Sequence, residues 1–265
     1  MKVRVAGHEV YAATGGRPFD ATRPTIVFIH GAGLDHTCFG LQSRWFAWHG
    51  WSVLAVDLPG HGRSGGEPLA SVAAMGDWVL ALLGAAGVAK AALAGHSMGA
   101  VIALETAAKA PERVTHLALL GVSSAMAVHP ALLTAARETP AQAYDMMTGW
   151  CFANPAKLGG NTAPGLWMTG GARALFDHNR AGALATDLAA CAAWTTGLAS
   201  AKTVGVPTLL VLGAQDVMTP ARKGQELAAA IAGATSVVIP DCGHMMMQEA
   251  PDATLDALIG HLGAR

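Results

Sequence analysis

Ser97 sits in the run Gly95-His96-Ser97-Met98-Gly99, a G-x-S-x-G pattern. An apolar, strand-like run, Ala91-Ala92-Leu93-Ala94, leads in, and a helix-like run, Ala100-Val101-Ile102-Ala103-Leu104, leads out. A serine on a sharp strand-to-helix turn stands clear of the backbone, and flanking glycines let the turn close without a Cβ clash. That is the geometry of a nucleophile elbow, and its chemistry is attack on a carbonyl carbon. A serine hydroxyl is a weak nucleophile at neutral pH. It needs a base, a group that orients the base, and donors for the oxyanion that forms.

Of the eleven histidines, His244 is best placed to be the base. It follows the last strand-like run in Pro240-Asp241-Cys242-Gly243-His244, on a glycine-bearing loop before the final helix. His96 adjoins Ser97 but must point elsewhere if the elbow forms. His30 and His61 read as structural. Asp216, in Leu212-Gly213-Ala214-Gln215-Asp216, is the candidate acid. A carboxylate there can accept the proton on His244 Nδ1 and fix the useful tautomer. Asp57 precedes the nucleophile and reads as a loop anchor, and Asp241 lies too near His244 in sequence to face it. The turn His30-Gly31-Ala32-Gly33 follows the first long strand. Its small residues let a backbone N–H approach a substrate, so the amides of Ala32 and Met98 are the expected oxyanion donors.

These groups converge only if each stands at the carboxyl end of a parallel strand. The strand-like runs are Thr25–Ile29, Ser52–Val56, Ala91–Ala94, Leu117–Leu120, Thr208–Leu212 and Ser236–Ile239. They are apolar on both faces, as buried parallel strands are. Helix-like stretches alternate with them, near 38–48, 71–85, 100–108, 222–232 and 252–262. The chain opens with a hairpin pattern, Val3–Val5 and Glu9–Tyr11 around Ala6-Gly7-His8. The alternation predicts an α/β fold with a mostly parallel central sheet and helices on both faces. It breaks between Ser123 and Thr203, where helical segments carry no sheet strand. An excursion of this size points to function. It holds Met146, Met147, Trp150, Phe152, Trp167, Met168, Phe176 and Trp194. Some of these form the excursion's own core, and others line an apolar pocket over Ser97. Trp150, Trp167 and Met146, with Met245 beside His244, are the pocket candidates.

Composition narrows the function classes. The chain has 265 residues, 52% hydrophobic and 13% charged, with a formal net charge of −1. That describes a folded chain with a large core, and its scattered cations suit neither nucleic acid nor a polyelectrolyte. The N-terminal residues have no apolar stretch of signal-peptide length. The longest apolar run, Trp78 to Ala89, is shorter than the roughly 20 residues that span a bilayer. The expectation is a cytoplasmic protein without membrane contact, of unspecified oligomeric state. The four cysteines lack C-x-x-C spacing and read as buried free thiols. No H-E-x-x-H, P-loop or dinucleotide fingerprint is present, so no metal or organic cofactor is expected.

These motifs, in this order, resemble the α/β-hydrolase superfamily essentially end to end. They are His30-Gly31-Ala32-Gly33, Asp57-Leu58-Pro59-Gly60-His61-Gly62-Arg63-Ser64, the elbow, Gly213-Ala214-Gln215-Asp216 and Gly243-His244. The Ser, Asp, His order is that superfamily's. Within it, the chain resembles small serine esterases, enol-lactonases and cofactor-free haloperoxidases, and Ala185–Cys191 is similar to a helix late in their cap. The resemblance implies a core domain of residues 1–122 and 204–265, a helical cap of residues 123–203, and hydrolysis of a small to medium carboxylic ester or lactone. The partners would be that small molecule and water. Serine at position 97 disfavours dehalogenases and epoxide hydrolases, whose nucleophile is aspartate. Carbon–carbon hydrolysis, perhydrolysis and acyl transfer use the same triad and remain alternatives, as does a non-catalytic binder. Tryptophan and methionine in the excursion favour an apolar acyl group, while Arg137, Arg173 and Arg180 leave a carboxylate-bearing substrate open.

Overall fold

The computed structural model describes residues 1–160 and 167–263. Eight strands form one sheet in the order β1-β2-β4-β3-β5-β6-β7-β8. They are β1 (Lys2–Val5), β2 (His8–Ala13), β3 (Thr25–Ile29), β4 (Ser52–Val56), β5 (Ala91–His96), β6 (Val114–Leu120), β7 (Thr208–Gly213) and β8 (Thr235–Ile239). β1 and β2 form an antiparallel hairpin turned by Ala6 and Gly7, both at positive φ. β2 meets β4 antiparallel, and every later pairing is parallel. Every residue of β3, β4, β5 and β7 is buried, which is why these strands read as continuous apolar runs. β8 differs from that reading. Thr235–Val238 are exposed, because β8 ends the sheet.

Twelve α-helices occur among the described residues. Those of the sheet layers are α1 (Gly40–Trp48), α2 (Val72–Ala85) and α3 (Met98–Lys109). Between β6 and β7 run α4 (Pro130–Glu138), α5 (Pro140–Cys151), α6 (Asn154–Lys157), α7 (Met168–His178), α8 (Ala183–Ala193) and α9 (Gly197–Thr203). Then come α10 (Ala221–Ala230), α11 (Met246–Glu249) and α12 (Pro251–Leu262). No described helix is long and apolar enough to cross a membrane. Residues 161–166 of the expected cap lie outside the described residues.

The strand order reverses at β3, so the ends of β3 and β5 flank the crevice where ligands bind in open α/β sheets. The helices between β6 and β7 are tied back to the layer beneath. Trp194 Nε1 and Ser200 Oγ donate to Glu105 Oε1 on α3, at 2.8 and 2.7 Å. Trp194 is therefore an anchor rather than a pocket wall.

Candidate active site

Ser97 is the single residue between β5 and α3. Its backbone has φ 54° and ψ −115°, a conformation L-residues rarely adopt. The turn is tight because backbones touch. A Cβ on Gly95 would overlap the Gly99 carbonyl, and one on Gly99 would overlap the Ile29 carbonyl at the end of β3. The Ser97 N–H donates to Leu120 O at 2.8 Å, which hangs the elbow on the end of β6.

The next peptide along β6 carries the base. A Cβ on Gly121 would lie 3.1 Å from His244 Cε1 and from His244 Nδ1. The imidazole of His244 and the backbone of Ser97 thus share the Leu120–Gly121 segment. His244 Nδ1 donates to Asp216 Oδ2 at 2.7 Å. Both side chains are buried. Asp216 Oδ1 accepts the N–H groups of Met218 and Thr219, each at 2.8 Å, and Oδ2 also accepts the Thr219 hydroxyl at 2.7 Å. Burial raises the Asp216 pKa, and the His244 contact and Thr219 bonds outweigh it, so the carboxyl is held below its ordinary value. It stays ionised beside the imidazole. Thr219 escaped the sequence reading. Its one signal is a hydroxyl three residues past Asp216, the spacing of a carboxylate that caps its own turn.

The remaining histidines near the site hold loops. His96 Nε2 donates to the His244 carbonyl at 2.9 Å, and burial keeps the ring neutral by lowering its pKa far below the ordinary value. His244 N–H donates to Cys151 O on α5 at 2.9 Å. Half-buried Glu249 accepts the N–H groups of Gly243, Met245 and Ala153, joining the His244 loop to the residue just before α6. Asp57 holds loops as well. Its oxygens accept from His36 N, His36 Nδ1 and Arg63 N at 2.7–2.9 Å. Asp241 faces Gln215, not His244.

Ala32 lies on the turn closed by Leu34 N–H to Gly31 O at 3.2 Å, which leaves the Ala32 amide outside that bond. Met98 is the first residue of α3, so its N–H has no intrahelical carbonyl to meet. Neither amide meets an acceptor among the described residues, and Met98 opens the first turn of α3, where negative charge is favoured.

A cavity of about 290 Å³ opens over Ser97. Ala32, Ser97 and Thr219 line its floor, and Val128, Leu132, Met147, Trp150 and Leu188 are among its walls. Of the four pocket candidates, Trp150 lines this cavity and three do not. Trp167 is 75% exposed and borders a separate groove that buried Met245 and Met247 also line. Met146 is half-buried against the core, and the next residue, Met147, takes the wall position because consecutive helical side chains point about 100° apart. The arginines are spent elsewhere. Arg173 pairs with Asp145 and Asp177, Arg180 with Glu67 and the Gly66 carbonyl, and exposed Arg137 is not at the wall. Among the described residues, Asp35, His36 and Asp57 could together reach a metal ion. Their oxygens already serve Thr37, His36 and Arg63, which accounts for the cluster as a loop anchor.

Residues 26–257 match the model of the alpha/beta hydrolase family. The chain belongs to that family. This alpha/beta hydrolase is 30% identical over 245 residues to a pimeloyl-[acyl-carrier protein] methyl ester esterase of Chromobacterium violaceum, covering 90% of this chain and 94% of that one. It is also 30% identical over 253 residues to the dihydrolipoyllysine-residue acetyltransferase component of an acetoin cleaving system of Pseudomonas putida, covering 89% of this chain. It spans only 63% of that relative's length. Among solved structures, the enol-lactonase of Burkholderia xenovorans LB400 superposes with a TM-score of 0.89 at 25% identity, over 99% of this chain and all of the other.

Proposed function

We propose that this alpha/beta hydrolase is a serine hydrolase that cleaves carboxylic esters or lactones with an uncharged, largely apolar acyl group. The supporting observation is the set of groups gathered at the end of β6. A serine in a strained elbow is hung on Leu120 O, and the next residue, Gly121, lies against an imidazole whose Nδ1 is bound to a buried, ionised carboxylate at 2.7 Å. In this reading Ser97 Oγ attacks the carbonyl carbon while His244 Nε2 takes the hydroxyl proton. Asp216 holds the imidazolium that forms. The amides of Ala32 and Met98 stabilise the oxyanion of the tetrahedral intermediate. Its collapse breaks the bond to the leaving oxygen, which takes the proton from His244. Water, deprotonated by the same imidazole, then attacks the acyl-enzyme and frees the acid and Ser97.

The acyl preference rests on the wall. Among the described residues it carries aliphatic, methionine and tryptophan side chains with Cys191 and His129, and no lysine or arginine. His129 Nδ1 already accepts the Ala131 N–H, so an anionic acyl group would lose its water there without gaining a fixed cation. The esterase and enol-lactonase relatives agree with the reaction class.

Two measurements test the reading. A fluorophosphonate should label Ser97 in the folded protein, and Ser97→Ala should abolish p-nitrophenyl ester turnover while the far-UV spectrum is unchanged. Full turnover by the variant would overturn the assignment. Equal kcat/KM for p-nitrophenyl butyrate and a succinate monoester would overturn the acyl preference.

A further inference from the structure

Ala32 is followed by Gly33, and Gly33 is gripped from the far side of the cavity. Its N–H donates to Asp187 Oδ2 on α8 at 2.9 Å, 154 residues along the chain. Its carbonyl accepts from Asn179 Nδ2, just past α7, at 2.6 Å. Both backbone polar groups of Gly33, and so the peptide units on either side of it, are thus held by the helices between β6 and β7. The same two side chains also reach the loop after β4. Asn179 Oδ1 accepts the Gly62 N–H at 3.1 Å, and Asp187 Oδ2 accepts from His61 Nε2 at 2.8 Å. His61 Nδ1 faces the Pro59 carbonyl at 3.0 Å. Both ring nitrogens meet acceptors only, so both carry protons, and His61 is the cation that balances Asp187.

Packing closes the grip. Gly33 has φ +65°, and a Cβ there would lie 2.9 Å from Leu184 Cδ1 and 3.1 Å from Phe176 Cδ1, on α8 and α7. Stability alone does not account for the arrangement. Asp187 is wholly buried, and its Oδ1 finds no partner among the described residues. A buried ion pair contributes little that apolar residues of like volume would not, whereas it does fix direction. The direction fixed here is that of the peptide next to an oxyanion donor.

We infer that Asp187 and Asn179 are positioning residues, which hold the Ala32 amide at the oxyanion through Gly33 and so make oxyanion stabilisation depend on docking of helices α7 and α8. This rests on the serine-hydrolase reading above. Helices and turn act as one unit, and loosening either side chain lets the Ala32 N–H drift from the place where charge develops. A donor acts on the transition state, so its misplacement lowers kcat and leaves KM in place.

The test uses Asn179→Ala and Asp187→Asn in the full chain, with p-nitrophenyl butyrate as substrate and an alkyl trifluoromethyl ketone as inhibitor. The ketone forms a tetrahedral adduct with Ser97 and presents its oxygen to the same amides. Each variant should lose about 10- to 100-fold in kcat, below the ceiling of roughly 10²–10³ for outright loss of one donor, with KM within about threefold. The inhibition constant for the ketone should rise by the same factor. A mere loss of folded enzyme lowers the apparent kcat but leaves that constant unchanged. A folded Asn179→Ala protein with the ketone constant within twofold of wild type overturns the inference, and it decides alone if Asp187→Asn does not fold. Turnover by Ser97→Ala would instead mark failure of the underlying serine-hydrolase reading.

Discussion

Strain at the elbow makes a prediction that separates activity from stability. Ser97 sits at φ 54° and ψ −115°, where a Cβ crowds the neighbouring carbonyls. A non-glycine residue held in so sparse a region costs on the order of 1–3 kcal/mol. Ser97→Ala keeps the Cβ and the strain, whereas Ser97→Gly removes both. Both lack the hydroxyl, so its lost contacts cancel in the comparison. Glycine adds unfolded-state entropy of about 0.5–1 kcal/mol, which opposes the gain. The net expectation is that Ser97→Gly is more stable than Ser97→Ala by roughly 0.5–2 kcal/mol. In a chain of this size, that is a rise in Tm of about 1–4 °C. Calorimetry of the two proteins in one buffer reads it directly, with ester turnover absent from both. If Ser97→Gly melts at or below Ser97→Ala, the elbow stores no strain and the argument fails.

Acid should destabilise the fold before its carboxylates titrate. His30 is driven down to about 4 by burial and by His61, and His96 falls far below its ordinary value by burial. Both stay neutral in the fold while the unfolded chain takes up protons from about pH 6.5 downward. Stability therefore falls between about pH 6.5 and pH 4, by on the order of 3 kcal/mol for His30 alone. His61, raised because Asp187 outweighs its burial, gives stability that is complete below pH 6.5 and fades as pH rises, so it does not cancel this loss. Asp216 and Asp57, both lowered, give way only below about pH 4. A urea midpoint that is flat from pH 7 to 4.5 would refute this. Thr219→Val removes a hydrogen bond to the Asp216 carboxylate and should reduce kcat about 5- to 20-fold with KM unchanged. A kcat within twofold of wild type would show the bond to be idle. Trp150→Ala opens the cavity wall and should move the best p-nitrophenyl ester to a longer acyl chain, and an unchanged chain-length profile would remove Trp150 from the acyl site.

Legibility in the sequence followed the range of the interactions. Asp216, His244, Ala32 and Ser97 each stand at the end of an apolar run, so a local pattern points to each one, and the parallel sheet does the gathering. Asp187 and Asn179 act on a glycine about 150 residues away, and nothing near them in sequence marks that partner. The wall was harder for another reason. Trp167 and Met245 have the composition of a pocket, but composition does not say which side of a helix faces it. Leu132 and Val128, with no special chemistry, take those places instead. β8 has the same apolar pattern as the buried strands, and only its position at the end of the sheet exposes it.

Cys191 borders the cavity that Ser97 floors. Burial, and then the charge of Asp187, push its thiol pKa far up, and Cys38, Cys151 and Cys242 are pushed up by burial as well. A protonated thiol is a poor nucleophile. On the serine-hydrolase reading proposed above, the cavity sorts electrophiles: an activated ester or phosphonate meets the Ser97 hydroxyl, and a haloacetamide meets sulfur that does not answer. On that reading, mild thiol alkylation leaves the serine chemistry intact, and an acyl group on Ser97 has no thiolate beside it to migrate to.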